Sequence, residues 1–408
     1  MQFTSSFVAL VAAALVSAAP TRFYGKRAAG ASDILVFKFA DVLEQLESSF
    51  YSQALSKFQG SDFQSAGFTS SQIAIEQFKS IQADEATHST VLQAALKSFG
   101  ESPITSCKFN FDSALTDVTT MAATARVVEA VGVGAYLGGA TLMTDPVLLD
   151  SAASILTVEA RHQTILNLLS GSGTAIPAAF DIALTPSEVL ALAGPFFDGA
   201  CDLGIPANPG LALTNTGTVA PGTQLSFSTP AITSANDTST LFCQMMLGGQ
   251  PFSIPLPFDN CVVPDGINGP VGIWITSDGQ PLTNNVRDRA TTQLVAGPAM
   301  AFIDTQPQML GQLARGTGSG SAGGAVASST STATISPAEA SGIIASASAT
   351  ATATASGSAA APAATSSGSS PQVDASVSTP AIPGSPNTAT GPSPDGSMNV
   401  IGWSNVSA

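Results

Sequence analysis

The chain is expected to fold as a mainly α-helical four-helix bundle with a short fifth helix, followed by a small β-rich extension and a disordered tail. Two observations carry this. The only two histidines occupy the same place in the same short pattern, Glu85-Ala86-Thr87-His88 and Glu159-Ala160-Arg161-His162, although the 408 residues include just nine glutamates. Two further glutamates, Glu44 and Glu129, are each followed seven residues later by a tyrosine, Tyr51 and Tyr136, and the chain has only three tyrosines. Three residues along an α-helix turn the side chain by roughly 300°, and seven residues make nearly two full turns, so the members of each pair share a face. The order Glu-x6-Tyr, Glu-x2-His, Glu-x6-Tyr, Glu-x2-His therefore reads as two helical hairpins related by pseudo-twofold symmetry.

Each helix has its own local signals. The first begins at Ser32 or Asp33, carries Ile34, Leu35, Phe37, Val42, Leu43, Leu46 and Phe50 at mixed three-and-four spacing, and stops near Phe58 before Gly60. Thr69-Ser70-Ser71-Gln72 reads as a capping box for a second helix from about Ser70 to Phe99, which Gly100 ends. A third is expected from about Ser113 to Met143 with Gly132, Gly134, Gly138 and Gly139 inside it. Each mid-helix glycine costs roughly 1 kcal/mol relative to alanine, so these need close approach of a neighbour, open space beside a site, or a break in the helix. Asp145 and Pro146 start the fourth helix, which runs to about Leu169 before Gly171. Pro186-Ser187-Glu188 opens the short fifth, ending near Asp198.

Beyond Cys201 the punctuation changes to Gly, Pro, Asn and Thr around β-like runs at Gln224 to Ser228, Thr240 to Leu247, Phe252 to Leu256 and Val271 to Thr276. A final docked element is expected between Pro298 and Pro307. The boundaries are then 1–18 for a signal peptide, 19–27 for a propeptide ending at the dibasic Lys26-Arg27, 28–199 for the bundle, 200–310 for the extension and 311–408 for the tail. From about Gly316 the composition is Ser, Ala, Thr, Gly and Pro, which cannot bury enough apolar surface to offset ordering entropy.

The same features bound the setting. A short apolar amino terminus, an even number of cysteines (Cys107, Cys201, Cys243 and Cys261) and the sequons at Asn236 and Asn405 predict a secreted glycoprotein, extracellular or associated with a cell wall, without a membrane anchor. Two disulfides can pair in three ways; Cys243 with Cys261 is favoured because both lie in one β segment. A formal net charge of −15 opposes nucleic acid or anionic lipid as a partner. Oligomeric state is not legible.

The chemistry lies in the repeated pattern. A Glu-x2-His pair on one helix face can grip one metal ion, and two such helices joined by two that each bring a glutamate make a carboxylate-bridged dinuclear iron or manganese site. Glu44, Glu85, His88, Glu129, Glu159 and His162 are the predicted ligands, with Glu47 as the alternative to Glu44. Tyr51 and Tyr136 are read as core aromatics or as groups that hold a ligand carboxylate in place. Arg161 should face solvent, and Arg126, three residues before Glu129, could pair with it. Phosphate loops and nucleophile motifs are not recognisable, so catalytic residues stay unassigned.

Six ligands in this order resemble the ferritin-like superfamily, and within it the secreted fungal ferritin-like proteins linked to stress response and sexual development. The resemblance rests on Leu43-Glu44-Gln45-Leu46-Glu47-Ser48-Ser49-Phe50-Tyr51, on Asp84-Glu85-Ala86-Thr87-His88 and on Pro255-Leu256-Pro257-Phe258-Asp259-Asn260-Cys261, and covers about 28 to 310. It implies a bundle with a carboxylate-bridged dinuclear metal site and no particular substrate. Two functions follow as expectations: a di-iron or di-manganese oxidoreductase that reacts with dioxygen or peroxide, or a non-enzymatic stress or developmental scaffold whose metal is structural or absent.

Overall fold

The computed structural model describes residues 29–233, 237–316, 391–392 and 399–400. The signal peptide, all of the propeptide, Asn236, Asn405 and all of the tail past residue 316 except two short strands lie outside these residues. The chain divides into two compact units, Met1–Gly324 and Ala325–Ala408. In the second, β7 (Gly391–Pro392) pairs antiparallel with β8 (Asn399–Val400).

The first unit begins with the bundle: α1 (Ala31–Lys57), the one-turn α2 (Gly60–Ser65), α3 (Ser71–Ser98), α4 (Val118–Ala140) and α5 (Pro146–Leu169). Helix α1 lies along α3 and α4 along α5, while α1 meets α4 and α3 meets α5 more sparsely, so two hairpins face each other. Their starts are set by side chains that take up free backbone N–H groups. Ser70 accepts from Ile73, Asp117 from Thr120, and Asp145 from Val147 and Leu148. Asp33 accepts from the backbone and hydroxyl of Thr144, both at 2.7 Å, which ties the first turn of α1 to the α4–α5 connection. The apolar stripe of α1 buries Val42, Leu46 and Phe50, the last edge-on to Phe111 at 5.4 Å. Each such buried side chain contributes about 1.5–3 kcal/mol.

Three sequence expectations are corrected here. The cap of α3 is Ser70 rather than Thr69, because the Ser70 hydroxyl is the one that reaches the Ile73 N–H. Helix α4 starts at Val118, not near Ser113, because the Asp117 carboxylate caps it from that point at 2.8 Å. Arg126 does not pair with Glu129: its guanidinium forks onto Asp304 at 2.7 and 2.8 Å and donates to Asn167 at 2.7 Å. Arg161 is exposed as expected.

Helix α4 is unbroken across its glycines, for reasons specific to each. A Cβ on Gly138 would lie 1.7 Å from the Leu184 carbonyl oxygen, and one on Gly134 would lie 2.9 Å from both Ile182 and Leu184. The segment 182–184 therefore lies directly on the helix, with Leu184 N–H donating to the Gly134 carbonyl at 2.9 Å.

Helix α6 (Pro186–Ala193), opened by a reciprocal Thr185–Glu188 cap, passes into a short 3-10 turn, Gly194–Phe196, two residues short of the expected end. After it come the small pair β1 (Ala212–Leu213) and β2 (Phe227–Ser228) and a four-stranded antiparallel sheet. The sheet holds β3 (Phe242–Leu247), β4 (Ile254–Pro257), β5 (Gly269–Thr276) and β6 (Leu294–Ile303) in the order β4-β3-β5-β6. Its central strands are buried on both faces: Met246 and Trp274 join the bundle core, while Cys243, Met245, Ile273 and Ile275 join a second core with Val263 and Leu225. Helix α7 (Met309–Arg315) packs back onto α5 and crosses the boundary expected at residue 311.

Disulfides join Cys107 to Cys201 and Cys243 to Cys261. The first spans 94 residues and clamps the α3–α4 connection to the chain beyond α6. A loop of that size is worth about 4–5 kcal/mol on the chain-entropy account.

Candidate metal centre

The six expected ligands meet inside the bundle. Glu44 comes from α1, Glu85 and His88 from α3, Glu129 from α4, and Glu159 and His162 from α5, and all are buried. They form two overlapping groups, Glu44 with Glu85, His88 and Glu159, and Glu129 with Glu85, Glu159 and His162, whose donor atoms lie within 4.8 Å of one another in each group. Glu85 and Glu159 belong to both. The pseudo-twofold order of the sequence thus appears in space as two shared carboxylates flanked on either side by one glutamate and one histidine.

Around His88, Nδ1 lies 3.0 Å from Glu85 Oε2, 3.2 Å from Glu44 Oε2 and 3.3 Å from Glu159 Oε1. Around His162, Nδ1 lies 2.8 Å from Glu85 Oε1 and 3.3 Å from Glu129 Oε2. Close as the His162 contacts are, they are not aligned as hydrogen bonds. Glu85 Oε1, Glu129 Oε2, both oxygens of Glu159 and His162 Nδ1 have no hydrogen-bond partner although they are fully buried. Each unpartnered buried polar group costs about 1–3 kcal/mol, so a fold that converges several on one point is arranged for something they can bind.

The charges point the same way. Burial alone would depress the His88 imidazole, but the adjoining carboxylates of Glu159, Glu44 and Glu85 carry it up to about 12. Burial likewise opposes His162, and Glu129 and Glu85 carry it up to about 11. Burial, reinforced by the Glu129 charge and opposed by both imidazoles, raises Glu85 to about 7. Glu159 is pushed well above the usual carboxylate range by burial and the charge of Glu85. Without metal the cluster is a set of mutually repelling carboxylates held together by two imidazolium ions.

The tyrosines serve the opposite hairpin. Tyr51 on α1 donates to Glu129 on α4 at 2.5 Å, and Tyr136 on α4 donates to Glu44 on α1. Each fixes one oxygen of a flanking carboxylate and leaves the other facing the histidine side. Both phenols are held well above their usual range, by burial first and by the adjoining carboxylate charge second.

Glu47 lies one turn from Glu44 and is equally buried, yet it stands outside both ligand groups. Burial and the charge of Glu159 push its carboxyl well up. Gly132 keeps room for it: a Cβ there would fall 2.9 Å from Glu159 Oε2 and 3.1 Å from Glu47 Oε1. One functional neighbour escaped the sequence reading. Asp84 Oδ2 lies 3.1 Å from His162 Nε2, fixing the tautomer that turns Nδ1 inward. Its signal was only that it precedes Glu85; the equivalent position before Glu159 is Val158, so the two halves differ here.

A four-helix bundle whose two hairpins are joined by one long connection, residues 99–117, and whose two Glu/His-bearing halves share two carboxylates, has the arrangement of helical bundles that carry dinuclear carboxylate sites. Residues 32–172 match the family model described as Ferritin-like domain. No curated protein matches the chain.

The donor set fits two ions. Four carboxylates and two imidazoles make up the two groups, and the unpartnered atoms of Glu85, Glu129, Glu159 and His162 all belong to them.

Proposed function

We propose that the chain is a secreted metalloprotein of the ferritin-like kind that holds two iron or manganese ions and reacts with dioxygen or peroxide, acting in stress or development as in the fungal group whose motifs it resembles. The observation that carries the reading is the pair of ligand groups sharing Glu85 and Glu159, three of whose four buried carboxylate oxygens are unpartnered. Two ions of this type supply redox equivalents and Lewis acidity. The chain's own residues do the rest: Glu85 and Glu159 would be shared by the two ions, Glu44 with His88 and Glu129 with His162 would complete each position, Tyr136 and Tyr51 hold the flanking carboxylates, and Asp84 orients His162. The two disulfides support an oxidising compartment, and among the described residues no helix is long and apolar enough to cross a membrane.

The second reading, a scaffold without catalysis, is favoured by the imidazole–carboxylate contacts, 3.0 Å from His88 to Glu85 and 2.8 Å from His162 to Glu85, through which the cluster partners itself without metal. Elemental analysis of protein purified from its natural source separates the two. Two iron or manganese ions per chain, lost in a Glu85→Ala, Glu159→Ala double variant, are expected. A fully folded chain that takes up no metal when supplied with either ion would establish the scaffold.

A further inference from the structure

The seam between α1 and α4 is one of the two sparse joins in the bundle, and it is hollow. A cavity of about 30 Å³ runs along it. Its outer rim is formed by Leu35 and Leu142, which are 38% and 39% exposed, and its inner end by Glu47, Gly132 and Tyr136. A second cavity of about 30 Å³ lies on the far side of the same inner end, sharing Leu43, Glu47 and Gly132 and closed by Leu192 and Phe196. The space exists because two glycines of α4 face α1. Gly132 opens the inner end, and at Gly139 an added Cβ would already stand 3.3 Å from Val36 Cγ1, making Val36 the constriction.

Size and polarity restrict what can use this space. A volume of about 30 Å³ holds roughly two water-sized molecules at ~10–15 Å³ each. Organic ligand sites are larger, about 300–1,000 Å³. The walls are aliphatic and aromatic apart from Glu47 and the phenol of Tyr136, whose hydroxyl is committed to Glu44. A water there would lack the two to four polar partners it needs, and peroxide, which must also hydrogen-bond, is no better suited. An apolar gas suffers no such loss.

We propose that the α1–α4 seam is a dry passage that admits dioxygen, rather than peroxide, from the surface at Leu35 and Leu142 past Val36 to the Glu47–Gly132 end beside Glu159. The inference rests on the metal-site reading for its purpose, but not for its test. Crystals of the metal-free full chain pressurised with xenon should show the gas in the seam, and a Val36→Trp variant should show none. After loading with ferrous iron, Val36→Trp should bind as much iron as the parent and consume dioxygen severalfold more slowly, whereas Val36→Ala should be as fast or faster. Leu142→Trp, at the exposed rim, gives the same block should the Val36 variant fail to fold. Xenon absent from the parent seam, or dioxygen consumption unchanged in folded, iron-loaded Trp variants, would overturn the passage. A chain that binds xenon but neither iron nor manganese would leave the passage standing and defeat the metal site instead.

Discussion

Two of the buried ionic clusters among the described residues are built on opposite principles. In the cluster under the sheet, Arg289 donates to both oxygens of Glu188 at 2.9 and 2.7 Å and also to the carbonyls of Thr283, Ala183 and Asn284. Glu188 accepts further from Trp274 Nε1 at 2.9 Å and from the Thr185 N–H at 2.7 Å. Charge is balanced one to one and the carboxylate is fully hydrogen-bonded. In the bundle, Glu44, Glu47, Glu85, Glu129 and Glu159 face two histidines, and Glu159 has neither oxygen hydrogen-bonded. Buried charge that the fold uses is saturated by the fold itself; charge left incomplete is the better marker of a site.

This contrast can be broken experimentally. Arg289→Met should be the most damaging change, lowering unfolding free energy by about 3–5 kcal/mol in urea because Glu188 is left buried and uncompensated. A loss below about 1 kcal/mol would mean the Glu188 cluster is not structural. Glu159→Met should act in the reverse sense on the metal-free chain, stabilising it by roughly 1–2 kcal/mol through removal of an unpartnered buried carboxylate. The same variant should bind no more than residual metal, and a destabilised metal-free variant would show that Glu159 belongs with Glu188 in kind.

Within the site, Glu44→Ala should lose metal at the His88 position while Glu47→Ala retains both ions, by metal content after dialysis, since only Glu44 lies in a ligand group. Equal loss would place Glu47 among the ligands. The smallest expected effect concerns Asp33. Its burial works against ionisation, but hydrogen bonds from Thr144, Asp145 and Gly30 win and lower its pKa from 3.8. A carboxyl depressed on folding stabilises above its unfolded pKa, and that contribution disappears as pH falls through the folded value. Asp33→Asn should therefore flatten the acid limb of stability against pH below about 4 and lower the plateau above it, by thermal melts across a pH series. An unchanged acid limb would show that the α1 anchor does not depend on the charge.

The bundle and its site were legible because both obey one periodicity. Ligands three and seven apart on a helix share a face whatever surrounds them, so Glu44, Glu85, His88, Glu129, Glu159 and His162 could be picked from spacing. The partners of Tyr51 and Tyr136 could not, because they lie across the bundle, 78 and 92 residues away. Strand β6 was reduced to a docked element because Gly297 and Pro298 interrupt its apolar run, and α2 was missed because six residues carry too little period. Likewise Arg126 has a plausible acidic neighbour on its own helix, and only the tertiary fold offers the better one, Asp304.

The glycine face of α4 has a bearing on how this molecule can be cut. Residues 32–172 would look, by homology alone, like a portable module. Yet Gly134 and Gly138 are shaped to receive the backbone of 182–184, and Arg126 is clasped by Asp304 far downstream. Excised at its homology border, α4 would carry two bare grooves in its backbone and an orphaned guanidinium, with no side chains of its own to fill either. The border of descent and the border of folding do not coincide here, and a shortened chain meant to retain the centre has to keep the sequence beyond β6, through Asp304.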